Sequence, residues 1–188
     1  GYAAIIFRRT YADLAKPGAL MDRAGEWLSG TDAKWNGQSH AWRFPSGAQL
    51  VFSHLEHENS KYDHQSAEYQ SIFFDELTAF SQSQYLYLFS RLRRLKDSAI
   101  PLRMRSASNP GNTGHQWVRQ RFLIEGPTMG RPYIPALMQD NPYLDTASYL
   151  RSLALLDPIT RQQLLDGDWD AQAEGTMFKR HYFIIVND

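Results

Sequence analysis

Short apolar runs alternate along this chain with stretches of helical period. Residues 3 to 9, AAIIFRR, form a compact apolar run closed by two arginines, the pattern of a strand buried in a parallel sheet. A helix is expected next, starting near Pro17, with Leu20, Ala24, Trp27 and Leu28 at helical spacing. From Trp42 to Leu55 the period changes to two extended runs around Pro45-Ser46-Gly47, which predicts a hairpin at the sheet edge. A polar stretch rich in His, Glu and Ser follows. Then YQSIFFDELTAF, residues 69 to 80, reads as a buried strand of β-formers that stops at Asp75-Glu76.

Residues 81 to 95 predict a helix with Leu86, Phe89, Leu92 and Leu95 near one face and Arg91, Arg93 and Arg94 around it. LRMRSASNPG, from Leu102, reads as another strand, ended by Asn109-Pro110-Gly111. HQWVRQRFLI, from His115, reads as a helix closed by Gly126-Pro127. An extended run, PYIPALM, precedes the turn Asp140-Asn141-Pro142. Two helices are expected after it, starting at Thr146 and Pro158, and the tail HYFIIVN is strand-like. Strands alternating with helices give an α/β domain with a mostly parallel sheet flanked by helices.

Composition narrows the class. The 188 residues suit one α/β domain, and 43% apolar with 21% charged residues is ordinary for a packed globular protein. Lys plus Arg and Asp plus Glu number 20 each, so the chain as a whole lacks the basic field of a dedicated nucleic-acid binder, and any DNA contact is local. The absence of Cys excludes disulfides and thiolate chemistry and suits an intracellular protein. No apolar run approaches the ~20 residues of a membrane span.

The strand ending in Asp75-Glu76 carries the candidate chemistry. A buried strand holds its C-terminal tip rigidly where an open α/β sheet places its ligand. Asp75 is suited to hold Mg²⁺ through water, and Glu76 to polarise an attacking water as general base. On the pair alone a second reading stands equal, in which both carboxylates cap a following helix.

The strand end Ser106-Ala107-Ser108-Asn109 offers hydroxyls and an amide that can sense a γ-phosphate, although Asn-Pro-Gly is turn chemistry in its own right. Arg91 and Arg93 are candidates for an arginine finger, against the plainer reading of a solvated or DNA-facing helix. His54, His57 and His64 match no tight ligand pair and read as loop histidines. The five Trp read as core and interface residues. None of the twelve glycines is followed by Lys, so the chain contains no G-x-x-x-x-G-K-[ST] phosphate loop.

Taken together, IIFRRT, YQSIFFDELTAF, SASNPGNTGHQWVRQRF and DNPYLDTASYLRSLALLDPITRQQLLDGDW resemble, in order and spacing, the ATPase domain of tailed-phage terminase large subunits. The resemblance runs from about residue 3 to residue 185. It implies a P-loop NTPase fold of the ASCE or RecA-like type, incomplete at its N-terminus because the phosphate loop precedes residue 1. Residues 1–175 would be the motor domain, and 176–188 the approach to a C-terminal nuclease domain. It further implies ATP and Mg²⁺ as cofactors, Asp75 and Glu76 as the acidic pair, and Ser106, Ser108 and Asn109 in the coupling motif. Double-stranded DNA, a portal protein, a small terminase subunit and a homo-oligomeric ring would be the partners, in the cytoplasm of a bacterial host. The competing expectations are a non-catalytic remnant of a prophage terminase gene, or another P-loop motor such as a helicase.

Overall fold

The parallel sheet expected from the alternation is present. The protein is described by a computed structural model covering residues 1–94, 96 and 98–171. The described residues divide into two compact units: Gly1–Ser108 with Asn112–Gln120, and Asn109–Gly111 with the described residues from Arg121 on.

In the first unit the strands are β1 (Ala3–Arg8), β2 (Lys34–Asn36), β3 (Ala41–Arg43), β4 (Gln49–His54), β5 (Ser71–Asp75) and β6 (Arg103–Ala107). They form one sheet in the order β2-β3-β4-β1-β5-β6. β4, β1, β5 and β6 run parallel, and β2 and β3 are antiparallel additions. Ala4 lies beside Ser71 and Phe7 beside Phe74, so β1 and β5 end level, and Asp75 stands opposite Ala107 of β6.

The alternation of β1 explains its unbroken apolar text. Ile6 packs on one face with a cluster of Leu14, Ala24, Ala33, Trp42 and Phe52. Ile5 and Phe7, both fully buried, face the other way. There Phe7 stacks on Phe74 at 5.2 Å between ring centroids, and Phe74 meets Phe80 edge-on at 5.0 Å.

Two helices follow β1 where one was expected. α1 (Tyr11–Ala15) is capped by Thr10, whose side chain accepts from the Asp13 N–H. Pro17 and Gly18, the latter at φ 74°, interrupt it, and α2 begins at Leu20 and ends at Leu28. Leu20, Met21, Ala24 and Leu28 pack inward, whereas Trp27 is 75% exposed and lies off the buried face. The hairpin around Gly47 forms, but it is not outermost. β4 is interior beside β1, and β2 closes the edge, with Trp35 packed on Trp42 at 5.5 Å.

The polar stretch before β5 is a 3-10 turn, Glu58–His64, clamped onto α3 (Gln82–Phe89). Lys61 is 6% exposed and donates to Glu58 Oε1 and Ser83 Oγ, each at 2.5 Å. His64 is packed against the core: its Nδ1 is 2.9 Å from the Tyr69 hydroxyl, its ring meets Phe7 edge-on, and burial lowers its pKa. α3 ends at Phe89, with Ser90 as its C-cap and short of the expected residue 95, because the backbone leaves it to run beside the approach to β5. Tyr69 N–H donates to Arg91 O and Arg93 N–H to Tyr69 O. Its buried face holds Gln84, Tyr85 and Leu88, and the apolar Leu86 and Phe89 are 44% and 49% exposed. Leu95 lies outside the described residues.

Gln84 is the polar hub of this packing. It is fully buried; its Nε2 donates to Leu55 O at 3.1 Å and His57 O at 2.8 Å, and its Oε1 accepts from Arg9 Nη1 and the Ser81 N–H. One amide thereby joins the ends of β1 and β4 to the start of α3.

α4 (His115–Val118) runs into a π-helical turn, Arg119–Ile124, and the boundary between the units falls within that turn. In the second unit Gly126-Pro127 opens a short helix, α5 (Gly126–Met129), rather than closing one. Proline is tolerated in a first helical turn, where the N–H it lacks has no partner. Residues 132–137 have no strand partner among the described residues. α6 (Thr146–Leu153) and α7 (Pro158–Leu165) start where expected, each capped by an aspartate, Asp145 and Asp157. Trp169 is buried and its indole N–H donates to the Tyr133 hydroxyl at 3.1 Å. The strand-like tail 181–187 lies outside the described residues.

Replacing Gln84 by Leu keeps the volume and strands the buried Leu55 carbonyl, the partly buried His57 carbonyl and two donors. Chemical denaturation should register a loss of about 2 kcal/mol, in the range for unsatisfied buried polar groups; a loss under ~0.5 kcal/mol would mean water satisfies them.

Candidate active site

The C-terminal edge of the parallel strands gathers the charged residues. Arg8 ends β1, Asp75 ends β5, and the two strands are neighbours in register. Arg8 Nε donates to Asp75 Oδ2 at 2.6 Å, and Arg8 Nη2 lies 4.0 Å from Glu76 Oε1. All three side chains are partly open to solvent, at 28%, 25% and 36% exposure, as a site that receives a ligand requires. Among the described residues, the other oxygen of Asp75 accepts no protein hydrogen bond.

Glu76 sits just past the strand at φ 56°, ψ 57°, a left-handed conformation that costs a non-glycine residue roughly 1–2 kcal/mol. This turn lifts the backbone out of the strand into a 3-10 turn, Leu77–Ala79. Glu76 occupies the N-cap position of that turn, and its side chain makes no capping hydrogen bond to it. Burial raises the pKa of Glu76; the Arg8 cation opposes this, and the neighbouring Asp75 adds to it.

The turn after Glu76 is held from two sides. From the end of β6, Ser108 Oγ accepts from the Thr78 N–H and donates to Thr78 Oγ1, both at 3.0 Å. From the other side, Gly114 N–H donates to Thr78 O at 2.7 Å, and the Trp117 indole donates to Phe80 O at 2.9 Å. A β-carbon on Gly114 would lie 2.7 Å from both Thr78 O and Phe80 O, which is why glycine stands there. The Gly-His-x-Trp stretch is thus the clamp on the loop behind the acidic pair.

The other expected site residues fall differently. Ser106 lies on β6 opposite Phe74 and is exposed. Asn109 belongs to the second unit. Arg91 and Arg93 lie beyond α3, paired with Tyr69 ahead of the N-terminal end of β5, so the extended run from Tyr69 to Asp75, about 20 Å at roughly 3.3 Å per residue, separates them from the carboxylates of the same chain. Arg91 bonds Gln65 O and lies over the Tyr87 ring, Arg93 lies 3.7 Å from Glu68, and Arg94 bonds Ile100 O. The sequence pattern gives no role to Arg8, Thr78 or Gln84. For Arg8 the signal is the pair of arginines closing a buried strand, which does not identify its partner.

Among the described residues no cluster of three or more His, Cys, Asp or Glu could cage a metal. The donor set fits instead a hard, water-rich cation such as Mg²⁺, which takes one or two carboxylates and draws its other ligands from phosphate and water. No helix among the described residues is long and apolar enough to cross a membrane. An open cavity of about 640 Å³ in the second unit is walled largely by apolar groups, Phe122, Leu123, Pro127 and Tyr133 among them, and carries none of this chemistry.

Residues 2–183 match the protein family described as the N-terminal part of the T4likevirus-type terminase large subunit. The chain belongs to this family. The structure resembles that of the large terminase from a thermophilic bacteriophage, with a TM-score of 0.71 at 16% identity over 96% of this chain and 44% of that one. The ADP complex of the same phage protein gives the same figures, and its complex with ATP-γ-S gives 0.67 at 13% identity, over 89% and 39%. At such identities the likeness is one of fold, and this terminase chain spans less than half the length of those proteins. No curated protein is significantly similar in sequence.

Two exchanges involving glycine should move stability in opposite directions. Gly114→Ala drives a methyl into two carbonyls and is expected to cost about 1–3 kcal/mol, as overpacking does. Glu76→Gly relieves the left-handed strain and removes a partly desolvated carboxylate, for a gain of roughly 0.5–1 kcal/mol after the added freedom of the unfolded chain is set against it. Thermal melts of both variants check the pair of signs; a destabilised Glu76→Gly would mean that the Glu76 side chain supports the turn.

Proposed function

We propose that this chain carries the hydrolytic edge of an ATP-driven motor that moves double-stranded viral DNA into a procapsid. The observation that carries this reading is the placement of Asp75 and the left-handed Glu76 at the tip of a central parallel strand, beside the end of β6, in a chain of the terminase family. Ligands of open α/β sheets bind at that edge.

In this reading Asp75 orients Mg²⁺, through water, with the oxygen that Arg8 leaves free. When bound, the ion neutralises charge on the phosphates. Glu76 takes the proton of the attacking water. Partial burial makes it a better base than an exposed glutamate, and the strained backbone fixes where it points. Ser108 couples the end of β6 to the turn behind Glu76, so a displacement at either reaches the other through Thr78. Ser106 and Asn109 complete the γ-phosphate-sensing segment. Arg91 or Arg93 can serve as an arginine finger only toward a neighbouring subunit, given their distance from the acidic pair within one chain.

The 188 residues contain no G-x-x-x-x-G-K-[ST] loop. The phosphate cradle is therefore assigned to a part of the protein outside these residues, consistent with a chain that spans 44% of the thermophilic-phage terminase. The complexes of that terminase with ADP and ATP-γ-S support nucleotide as the ligand of the complete fold. Portal protein, small terminase subunit and a homo-oligomeric ring follow as partners from family membership, in the cytoplasm of a bacterial host.

In the full-length protein Glu76→Gln should lower kcat by ~10²–10⁴-fold while nucleotide affinity stays nearly intact, because Gln keeps the size but cannot accept the proton. Asp75→Asn should weaken Mg²⁺-nucleotide binding as well as the rate. Steady-state hydrolysis with equilibrium binding separates the two. Turnover within a few-fold of wild type in Glu76→Gln would leave this chain without its proposed base and favour a non-catalytic remnant.

A further inference from the structure

The acidic pair comes with a cation already attached. Parallel pairing puts Arg8 one step past the Phe7–Phe74 pair, beside Asp75, and its Nε–Oδ2 contact of 2.6 Å is short even for a charge-assisted bond. That contact uses one carboxylate oxygen and leaves Nη2 4.0 Å from Glu76. The base of the arginine is itself held. Arg9 donates to the fully buried Gln84, and Phe7 is stacked in the core, so the end of β1 cannot drift from β5 without breaking buried contacts.

Two adjacent carboxylates repel each other, and a guanidinium between them offsets that repulsion while its planar donors fix their orientation. The same positive charge opposes any second cation that approaches Asp75. We propose that Arg8 is a positioning residue for the acidic pair, one that orients Asp75 and Glu76 for hydrolysis and competes with the divalent cation for Asp75. The inference rests on the reading of Asp75 as the metal-holding carboxylate. It gives Arg8 two effects of opposite sign: it weakens metal binding and raises turnover. A residue that only supported the fold would, on removal, weaken both.

The test uses the full-length protein with a non-hydrolysable ATP analogue. Mn²⁺ is titrated and the free ion is followed by electron paramagnetic resonance, and steady-state ATP hydrolysis is measured in parallel. Arg8→Gln should bind Mn²⁺ about two- to fivefold more tightly, the scale of a partly exposed ion pair, while kcat falls about tenfold or more. Arg8→Lys keeps the charge and loses the fork, so its Mn²⁺ affinity should stay within about twofold of wild type while kcat is reduced.

Unchanged or weaker Mn²⁺ binding in Arg8→Gln, with Asp75→Asn still impairing it, would overturn the inference and leave the metal role of Asp75 standing. Unimpaired Mn²⁺ binding in Asp75→Asn would instead remove the metal role of Asp75, and the inference with it. Should Arg8→Gln fail to fold, Arg8→Lys decides: wild-type turnover there would overturn the positioning role.

Discussion

The pairing of β1 with β5 is the constraint on which the acidic edge depends. Parallel strands in register end level, and here that brings an arginine and an aspartate from residues 67 apart in sequence into a 2.6 Å contact. The register is not free to slip. Side chains on a strand alternate faces, so a shift by one residue would move Ile5 and Phe7 out of the aromatic layer and Ile6 out of the cluster around Leu14 and Phe52. Hydrophobic burial on both faces of β1 therefore fixes the geometry of a charged pair at its tip.

The loop behind Glu76 shows a second use of the same logic. Its residues are tied by hydrogen bonds to the end of a strand on one side and to a glycine and a tryptophan on the other. These contacts hold Glu76 in a backbone conformation it would not adopt in isolation. Strain at a residue in a candidate catalytic position, supported by neighbours that take no part in chemistry, is the arrangement expected where direction matters more than stability. The Gly-His-x-Trp stretch, one of the motifs on which the terminase resemblance rests, thereby gains a physical role in place of a purely diagnostic one.

Charge balance at this edge distinguishes it from a metal cage. Two carboxylates and one guanidinium leave this edge with a modest negative charge, and all three side chains stay partly open to solvent. A chain with equal numbers of acidic and basic residues has no long-range field to draw DNA or nucleotide by itself.

The alternation of apolar runs and helical periods, read from sequence alone, determined the α/β class, the parallel sheet, the strand ending at Asp75-Glu76 and the starts of α6 and α7, since burial on both faces and capping chemistry are written into contiguous residues. The motif order determined the family. Tertiary structure decided what contiguous text cannot encode. It placed Gln84 in the core and Leu86 and Phe89 at the surface, because a fully hydrogen-bonded amide can be buried while a short helix leaves apolar residues over. It ended α3 early, because the chain after it bonds to Tyr69, and so carried Arg91 and Arg93 to the far end of β5. It gave Arg8 a partner, because cross-strand neighbours are set by register between segments far apart in sequence, and local periodicity carries no information about which strand lies next to which.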